Sequence, residues 1–373
     1  MKVHFYLLIS LFVLSSCTKG RLSETNVVDE KGKMQYARGF AIINHPDYRE
    51  LVVYNPWKSG EISAKYFLVK DSAVKVPSGG LKILMPVKTI AITSSTHIEF
   101  LNLTKGLDKI TGICSPDLIY NETIRKRFQE GKIVSLGDAF NIQIEKVMKL
   151  KSDIIIMSGY NQEDVNTRRL TEAGINVIQN NEWMESDLLA RAEWIKFMAA
   201  FYDQGALADS IFNEVESRYL AVKKLTEHVK VRPSVLNGSG FRGTWYVPGG
   251  RSFMAQLYKD AGADYAYAND TTKGSLPLKT ESVIDKFKDA DVWLNCNFET
   301  YKALIDADQM HGLFKAVRIK QVYNFNNSAL ATGANDFWES AIARPDLLLS
   351  DVIAVLHPEL MPGYQLVYTK KLR

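Results

Sequence analysis

Several residues in this chain have the right types for chemistry, but few have the spacing for it. Asn237 to Gly243, "NGSGFRG", puts Gly238, Gly240 and Gly243 in the G-x-G-x-x-G spacing of a dinucleotide site. That motif works only where a helix opens at once and turns its N-terminal amides toward a pyrophosphate. The next residues, "TWYVPGG", are β-formers and turn formers, so the sequence predicts no phosphate cradle here. The six histidines, His4, His45, His97, His228, His311 and His357, are scattered, with no H-x-x-x-H pair and no Cys/His cluster. No cage for a bare metal ion is expected, and any metal this protein handles arrives already chelated. Neither G-x-S-x-G, a P-loop nor H-E-x-x-H occurs, so no catalytic residue is assigned.

What remains is a set of turn-rich loops that carry aromatic and basic residues. In the first half they are "SSTH" with Ser95 and His97, "CSPDLIY" with Tyr120, "GDAF", and "SGYNQ" with Tyr160. In the second half they are "GFRGTWYVPGGRSF" with Arg242, Trp245, Tyr246 and Arg251, "NCNF" with Phe298, and "NNSALATGANDFW" with Trp338. Such loops at strand ends are the natural lining of a cleft, because ligands of open α/β sheets bind beyond the carboxyl ends of the strands. Any one aromatic residue has a place in the core as its alternative. Arg242, Arg251, Trp245 and Tyr246 are the hardest to bury unpaired and are expected in the cleft, where truncating Trp245 or Arg242 would weaken binding and leave the fold intact.

The elements that would hold these loops can be read from the hydrophobic pattern. "RGFAIINHPDYRELVVYNPW" and "KYFLVKD" alternate apolar and polar residues between turn signals and predict an N-terminal β-meander. "TIAIT", "ITGIC", "DIIIM" and "NVIQ" then alternate with helical stretches, which implies a parallel sheet covered on both faces. Between Asp187 and Val229 little stops a helix. Leu207, Ile211, Val215, Tyr219 and Val222 recur three or four apart, and an unbroken helix from Gln204 to Val229 would bridge two lobes rigidly. The α/β alternation then resumes through "PSVLNGS", "TWYVPGG" and "VRIKQVYNF" to a last helix in which Pro345 and Asp346 suit the first turn. The fold class expected is α/β, with two Rossmann-like lobes of parallel sheet joined by one long rigid helix.

With 373 residues the chain suits two lobes, and 46% hydrophobic against 24% charged residues is ordinary for a globular protein. A formal charge of +4 on 46 basic and 42 acidic residues, without a long run of one sign, gives no electrostatic case for a nucleic-acid partner. The start is different in kind. "MKVHFYLLISLFVLSSC" has Lys2 and then an apolar run from Phe5 to Leu14, about half of the ~20 residues that span a bilayer. It reads as a signal peptide whose end, Leu14 to Cys17, resembles the bacterial lipobox, with Cys17 then expected as the acylated first residue of the mature chain; ordinary cleavage near Ser16 is the alternative. The expected division is 1–16 signal peptide, 17–35 lipid-anchored tether, 36–185 first lobe, 186–230 helical bridge and 231–373 second lobe. Cys114 and Cys296 fall in different halves and are expected as small buried residues without a bridge.

One unit occurs twice. "QIEKVMKLKSDIII" and "TESVIDKFKDADVWL" each run from an acid, Glu145 or Glu281, through an amphipathic turn or two to an Asp and a short strand. An acid there suits the positive end of a helix dipole on local grounds alone. Together with "EWIKFMAAFY", "GTWYVPGGRSFMAQLYKDAGADY" and "ARPDLLLSDVIAVLHPEL", these units resemble, in order and spacing from about Arg38 to Arg373, the substrate-binding lipoproteins of ABC importers for iron chelates and vitamin B12. The resemblance implies a non-enzymatic, monomeric, lipid-anchored protein of the bacterial cell envelope. It would hold a metal chelate between its lobes and dock Glu145 and Glu281 onto arginines of the two permease subunits. An iron chelate or a corrinoid ranks ahead of haem, whose iron His97 or Tyr120 could ligate. Ser152-Asp153 stands where the family usually has Pro-Asp, a structural position. A two-lobed transferase is the rival from another class, and it would need a base and a phosphate site that the motifs do not supply; a surface adhesin on the same scaffold is a third reading.

Overall fold

The computed structural model describes residues 32–159 and 164–373, so the signal peptide, Cys17, most of the tether and Tyr160 lie outside the described residues. Strands β1 (Phe40–Asn44), β2 (Tyr48–Tyr54) and β3 (Ile62–Val69) form the expected antiparallel meander, and β4 (Leu81–Leu84) adds to it parallel to β3. The chain then builds a parallel five-stranded sheet. It passes through β5 (Ile90–Ile92), α1 (Ile98–Leu103), β6 (Ile110–Ile113), α2 (Glu122–Gln129) and β7 (Val134–Ser135). A two-residue hairpin, β8 (Gly137–Asp138) and β9 (Asn141–Ile142), leads to α3 (Ile144–Leu150), β10 (Ile154–Met157), α4 (Val165–Glu172) and β11 (Val177–Gln179). The strand order is β11-β10-β5-β6-β7. Every residue of β5 and β10 is buried, as expected where helices cover both faces and the strands read as unbroken apolar runs.

Two helices follow, α5 (Leu188–Ala200) and α6 (Gly205–Lys224), separated by a turn in which Asp203 takes φ +62°. The helix expected from Gln204 to Val229 is shorter than the periodicity suggested. Its 20 residues span about 30 Å, and it ends at Lys224, just before the Thr226 hydroxyl is tied to Asp260 O at 2.7 Å. The pair threads two hydrophobic cores. Trp194, Phe197 and Phe212 belong to the first, while Leu188, Leu189 and Tyr219 of the same two helices belong to the second.

The second lobe runs through β12 (Val235–Asn237), the hairpin β13 (Gly240–Phe241) and β14 (Thr244–Pro248), α7 (Phe253–Asp260), β15 (Ser275–Lys279), α8 (Thr280–Phe287) and β16 (Val292–Leu294). It closes with α9 (Tyr301–Ala307), α10 (Lys315–Arg318), β17 (Val322–Asn324), α11 (Asp336–Glu339), α12 (Pro345–Leu356) and β18 (Lys370–Lys371). β12, β16 and β17 are parallel and β18 is antiparallel at the edge, while β13, β14 and β15 form a separate antiparallel sheet. Pro345 occupies the first turn of α12, where its missing N–H costs nothing, and Asp346 beside it is held by Arg344 and Arg218. The fold is mixed α/β with parallel sheets and covering helices, as the sequence predicts.

The duplicated unit has a structural counterpart. Glu145 lies in the first turn of α3 and Glu281 in the first turn of α8, both exposed. The strand after each helix pairs with the first strand of its parallel sheet, β10 with β5 and β16 with β12. The Asp at the head of that strand clasps the start of the first strand in the same way twice. Asp153 Oδ2 accepts from Thr89 N at 2.9 Å while Thr89 Oγ1 accepts from Asp153 N at 2.9 Å. Asp291 Oδ2 accepts from Ser234 N at 2.8 Å while Ser234 Oγ accepts from Asp291 N at 3.0 Å. Each clasp satisfies backbone amides that would otherwise be orphaned at a strand end.

Candidate functional site

A cavity of about 760 Å³ opens where the strand ends of the second lobe face the segment leading into α5. Asn237 and Gly238 end β12, Asn295 and Asn297 follow β16, Tyr246 projects from β14, and Phe253 and Met254 begin α7. Asn295 and Asn297 take φ of +58° and +61°, a left-handed conformation that Asn tolerates better than most residues and that turns the chain sharply past the cavity. From the other side come Trp183 and Arg191. Trp183 is fixed by its indole N–H donating to Gly159 O at 3.2 Å. Arg191 donates to Glu185 O at 3.0 Å and to Trp183 O, and its guanidinium lies 3.6 Å from the centre of the Phe253 ring. Burial pulls this guanidinium down to about 10 against the opposing pull of Glu182 and Glu185, so it is charged at neutral pH.

The lining combines five aromatic rings, Trp183, Phe241, Tyr246, Phe253 and Phe298, with two cations, Arg191 and Lys273, and no carboxylate among the described residues. Rings of this kind bury much apolar area, and Lys273, which has no carboxylate partner among the described residues, favours an anion, whereas Arg191 already feels Glu182 and Glu185. No group of three or more His, Cys, Asp or Glu residues that could hold a metal ion occurs among the described residues. The cavity thus presents aromatic faces and cationic groups to its interior.

Of the residues expected from the sequence, Tyr246 and Phe298 line this cavity. Trp245 does not, and the expectation is corrected. It is fully buried, donates from its indole N–H to Asn237 O at 3.0 Å, and packs on Trp293 and Phe314 with ring centres 5.4 and 5.8 Å away. The reason is strand alternation, since "TWYVP" is β14 and sends Trp245 and Val247 inward and Tyr246 outward. Arg242 sits exposed at the β13–β14 turn with φ +50°, beside the Phe241 ring, and Arg251 is exposed before α7; neither lines the cavity. His97 is fully buried with Nε2 3.3 Å from Ser158 Oγ and 3.5 Å from Glu182 Oε2, so it offers no nitrogen to a solute in the cavity. Ser95 is half-buried and Trp338 is 58% exposed, both away from the lining. Sequence reasoning missed Arg191 and Trp183. A partial signal was present in "EWMESDLLARAEWIKFMAA", where Arg191 falls within a mostly apolar helical stretch.

Tyr120 marks a contact between the lobes. Its backbone N–H and that of Asn121, at the start of α2, both donate to the carboxylate of Glu339 in α11, the second at 2.9 Å. Burial pushes the Glu339 carboxyl up to about 7, with Asp336 and Glu99 adding to the shift and the two backbone donors opposing it. Glu99 and Asp336 are themselves raised by burial. A raised folded-state value means that the folded protein binds the proton more tightly than the unfolded chain. Its contribution to stability is thus complete below the ordinary value of 4.5 and is lost as the pH rises through about 7. The thermal midpoint is expected to fall between about pH 5 and pH 7, and Glu339→Gln to flatten that slope; an unchanged slope in the variant would remove Glu339 as its source.

Cys114 and Cys296 are buried and free, as expected. The profile described as periplasmic binding protein matches residues 90–329, and the chain belongs to that family. An uncharacterized lipoprotein of Methanocaldococcus jannaschii is 26% identical over 355 residues, which cover 88% of this chain and 83% of the relative. A periplasmic heme binding protein from Pseudomonas aeruginosa superposes with a TM-score of 0.60 at 16% identity, over 77% of this chain and 98% of its own. The Helicobacter pylori protein CeuE, solved as a Ni-His complex, gives a TM-score of 0.59 at 16% identity, over 78% of this chain and 90% of its own. At these identities the likeness to the solved structures is one of fold.

Proposed function

We propose that this chain is the solute-binding component of an ABC importer, anchored outside the cytoplasm through Cys17, and that its solute is an anionic metal chelate of the iron-siderophore kind. The observation that carries this reading is the cavity of about 760 Å³, which among the described residues has five rings, two cations and no lining carboxylate. A corrinoid would use the rings but offers Lys273 less negative charge than a ferric chelate with free carboxylates, so the anionic iron chelate ranks first. Family membership supports binding rather than catalysis. The lipoprotein name of the M. jannaschii relative supports the lipid anchor, and among the described residues no helix is long and apolar enough to cross a membrane. Delivery would use Glu145 and Glu281 as the two contacts with the permease subunits.

The test is spectroscopic. The purified protein is mixed with ferric citrate, ferric catecholate siderophores, cyanocobalamin and haem, then desalted. Retained colour from a ferric chelate is expected, with affinity falling as ionic strength rises from about 0.05 to 0.5 M, because partly exposed charge pairs are screened. Retention of cyanocobalamin or haem alone would replace the iron chelate, and retention of none would overturn the reading.

A further inference from the structure

A second cavity, of about 310 Å³, meets the first at Lys273, which lines both. Its other walls come from Arg38 ahead of β1, from the β2–β3 loop at Asn55 and Ser59, and from the turn at Asn181 and Glu185. The β2–β3 loop lies outside residues 90–329 matched by the family. It is a fixed wall. Asn55 Oδ1 accepts from Trp57 N at 2.9 Å and from Lys58 N at 3.0 Å, and Asn55 N donates to Glu61 O at 2.8 Å. Tyr54 N donates to Gly39 O at 2.9 Å, which ties the loop to the segment carrying Arg38. The Trp57 ring lies against Gly159, so closely that a Cβ there would stand 3.0 Å from it.

The charges of this outer chamber are uneven. Glu185 is its one lining carboxylate among the described residues, and its Oε1 already accepts from Arg38 N, Gly39 N and Trp194 Nε1 at 2.7 to 3.1 Å. Among the described residues Lys273 has no carboxylate partner, and the Arg38 guanidinium has only Met34 O at 3.4 Å. With Arg191 in the inner cavity, three cations and one committed acid line the trough among the described residues.

We infer that the solute site has two chambers: a chelate held in the inner cavity extends an anionic arm past Lys273 into the outer chamber under the β2–β3 loop, with Lys273 and Arg38 as its counter-charges. This rests on the chelate-binding reading above and adds to it a specificity element built by the N-terminal sheet. The recognised chemistry is a carboxylate or similar oxyanion carried on the edge of the chelate. A compact neutral chelate uses the inner cavity alone.

The test compares ferric citrate, a polyanion, with ferrichrome, a neutral chelate, by quenching of tryptophan fluorescence. Three proteins are used: wild type, the double variant Lys273→Gln with Arg38→Gln, and Ser59→Glu, which places a carboxylate in the outer chamber. The ratio of ferric citrate to ferrichrome affinity is expected to fall at least tenfold in both variants, with Lys273→Arg keeping the wild-type ratio. An unchanged ratio, or ferrichrome binding with no ferric citrate binding by wild type, overturns the second chamber and leaves chelate binding standing. Failure of wild type to bind either chelate overturns both.

Discussion

Reversing two charges, Glu145→Arg with Glu281→Arg, is expected to abolish uptake while solute affinity stays within a few-fold of wild type. Both acids are exposed in the first turn of a helix, and each helix feeds the strand beside the first strand of its parallel sheet. Neither lines the solute cavity. The two sites are thus topologically equivalent, one per lobe, which suits two equivalent partner subunits. An interfacial pair of opposite charges can contribute ~1.5 kcal/mol or more of coupling, so losing two exceeds a tenfold loss in docking. Reversal adds repulsion to that loss. The measurement is uptake of labelled chelate by cells carrying the variant, beside a binding isotherm for the purified protein. Normal uptake would refute the docking role, whereas loss of affinity would place the acids in the solute site instead.

The second large effect concerns stability. Trp245→Ala is expected to cost on the order of 3–5 kcal/mol, the range for truncating a large buried aromatic residue. Trp245 is fully buried between Trp293, His311 and Phe314, and its loss also leaves Asn237 O without its indole donor. The neighbouring Tyr246→Ala removes a ring that is 49% exposed and lines the cavity, and should weaken binding with little change in stability. Chemical denaturation of the two variants checks the pair. A Trp245→Ala protein as stable as wild type would mean that the second core repacks around the gap.

These two adjacent residues show where the sequence was legible and where it was not. The parallel strands could be read because Ile90–Ile92 and Ile154–Met157 are short β-branched runs buried on both faces, a pattern set by local chemistry. The Glu-led units could be read because their parts recur in order. Trp245 was misplaced because the assignment of a turn-rich stretch as loop or hairpin depends on its pairing partner, and that partner, β15, lies some thirty residues on. Arg191 was missed because its place in an apolar stretch of α5 marks it as unusual without saying what it faces, which is settled only when Phe253 of the other lobe is in place. Glu339 carries no local signature at all, since its role depends on two backbone amides more than two hundred residues earlier.

The helix pair α5–α6 has a consequence for how the molecule is assembled. Because Leu188 and Leu189 pack in one core and Trp194 and Phe197 of the same helix in the other, neither core is complete until both ends of α5 are seated. The N-terminal sheet and the 90–179 sheet therefore emerge from synthesis before the helices that seal them. During that interval their apolar faces are exposed, the condition under which chains of this size associate wrongly. Once sealed, opening either core strips packing from the other, so the two lobes are expected to unfold in one calorimetric transition and not as two beads on a string.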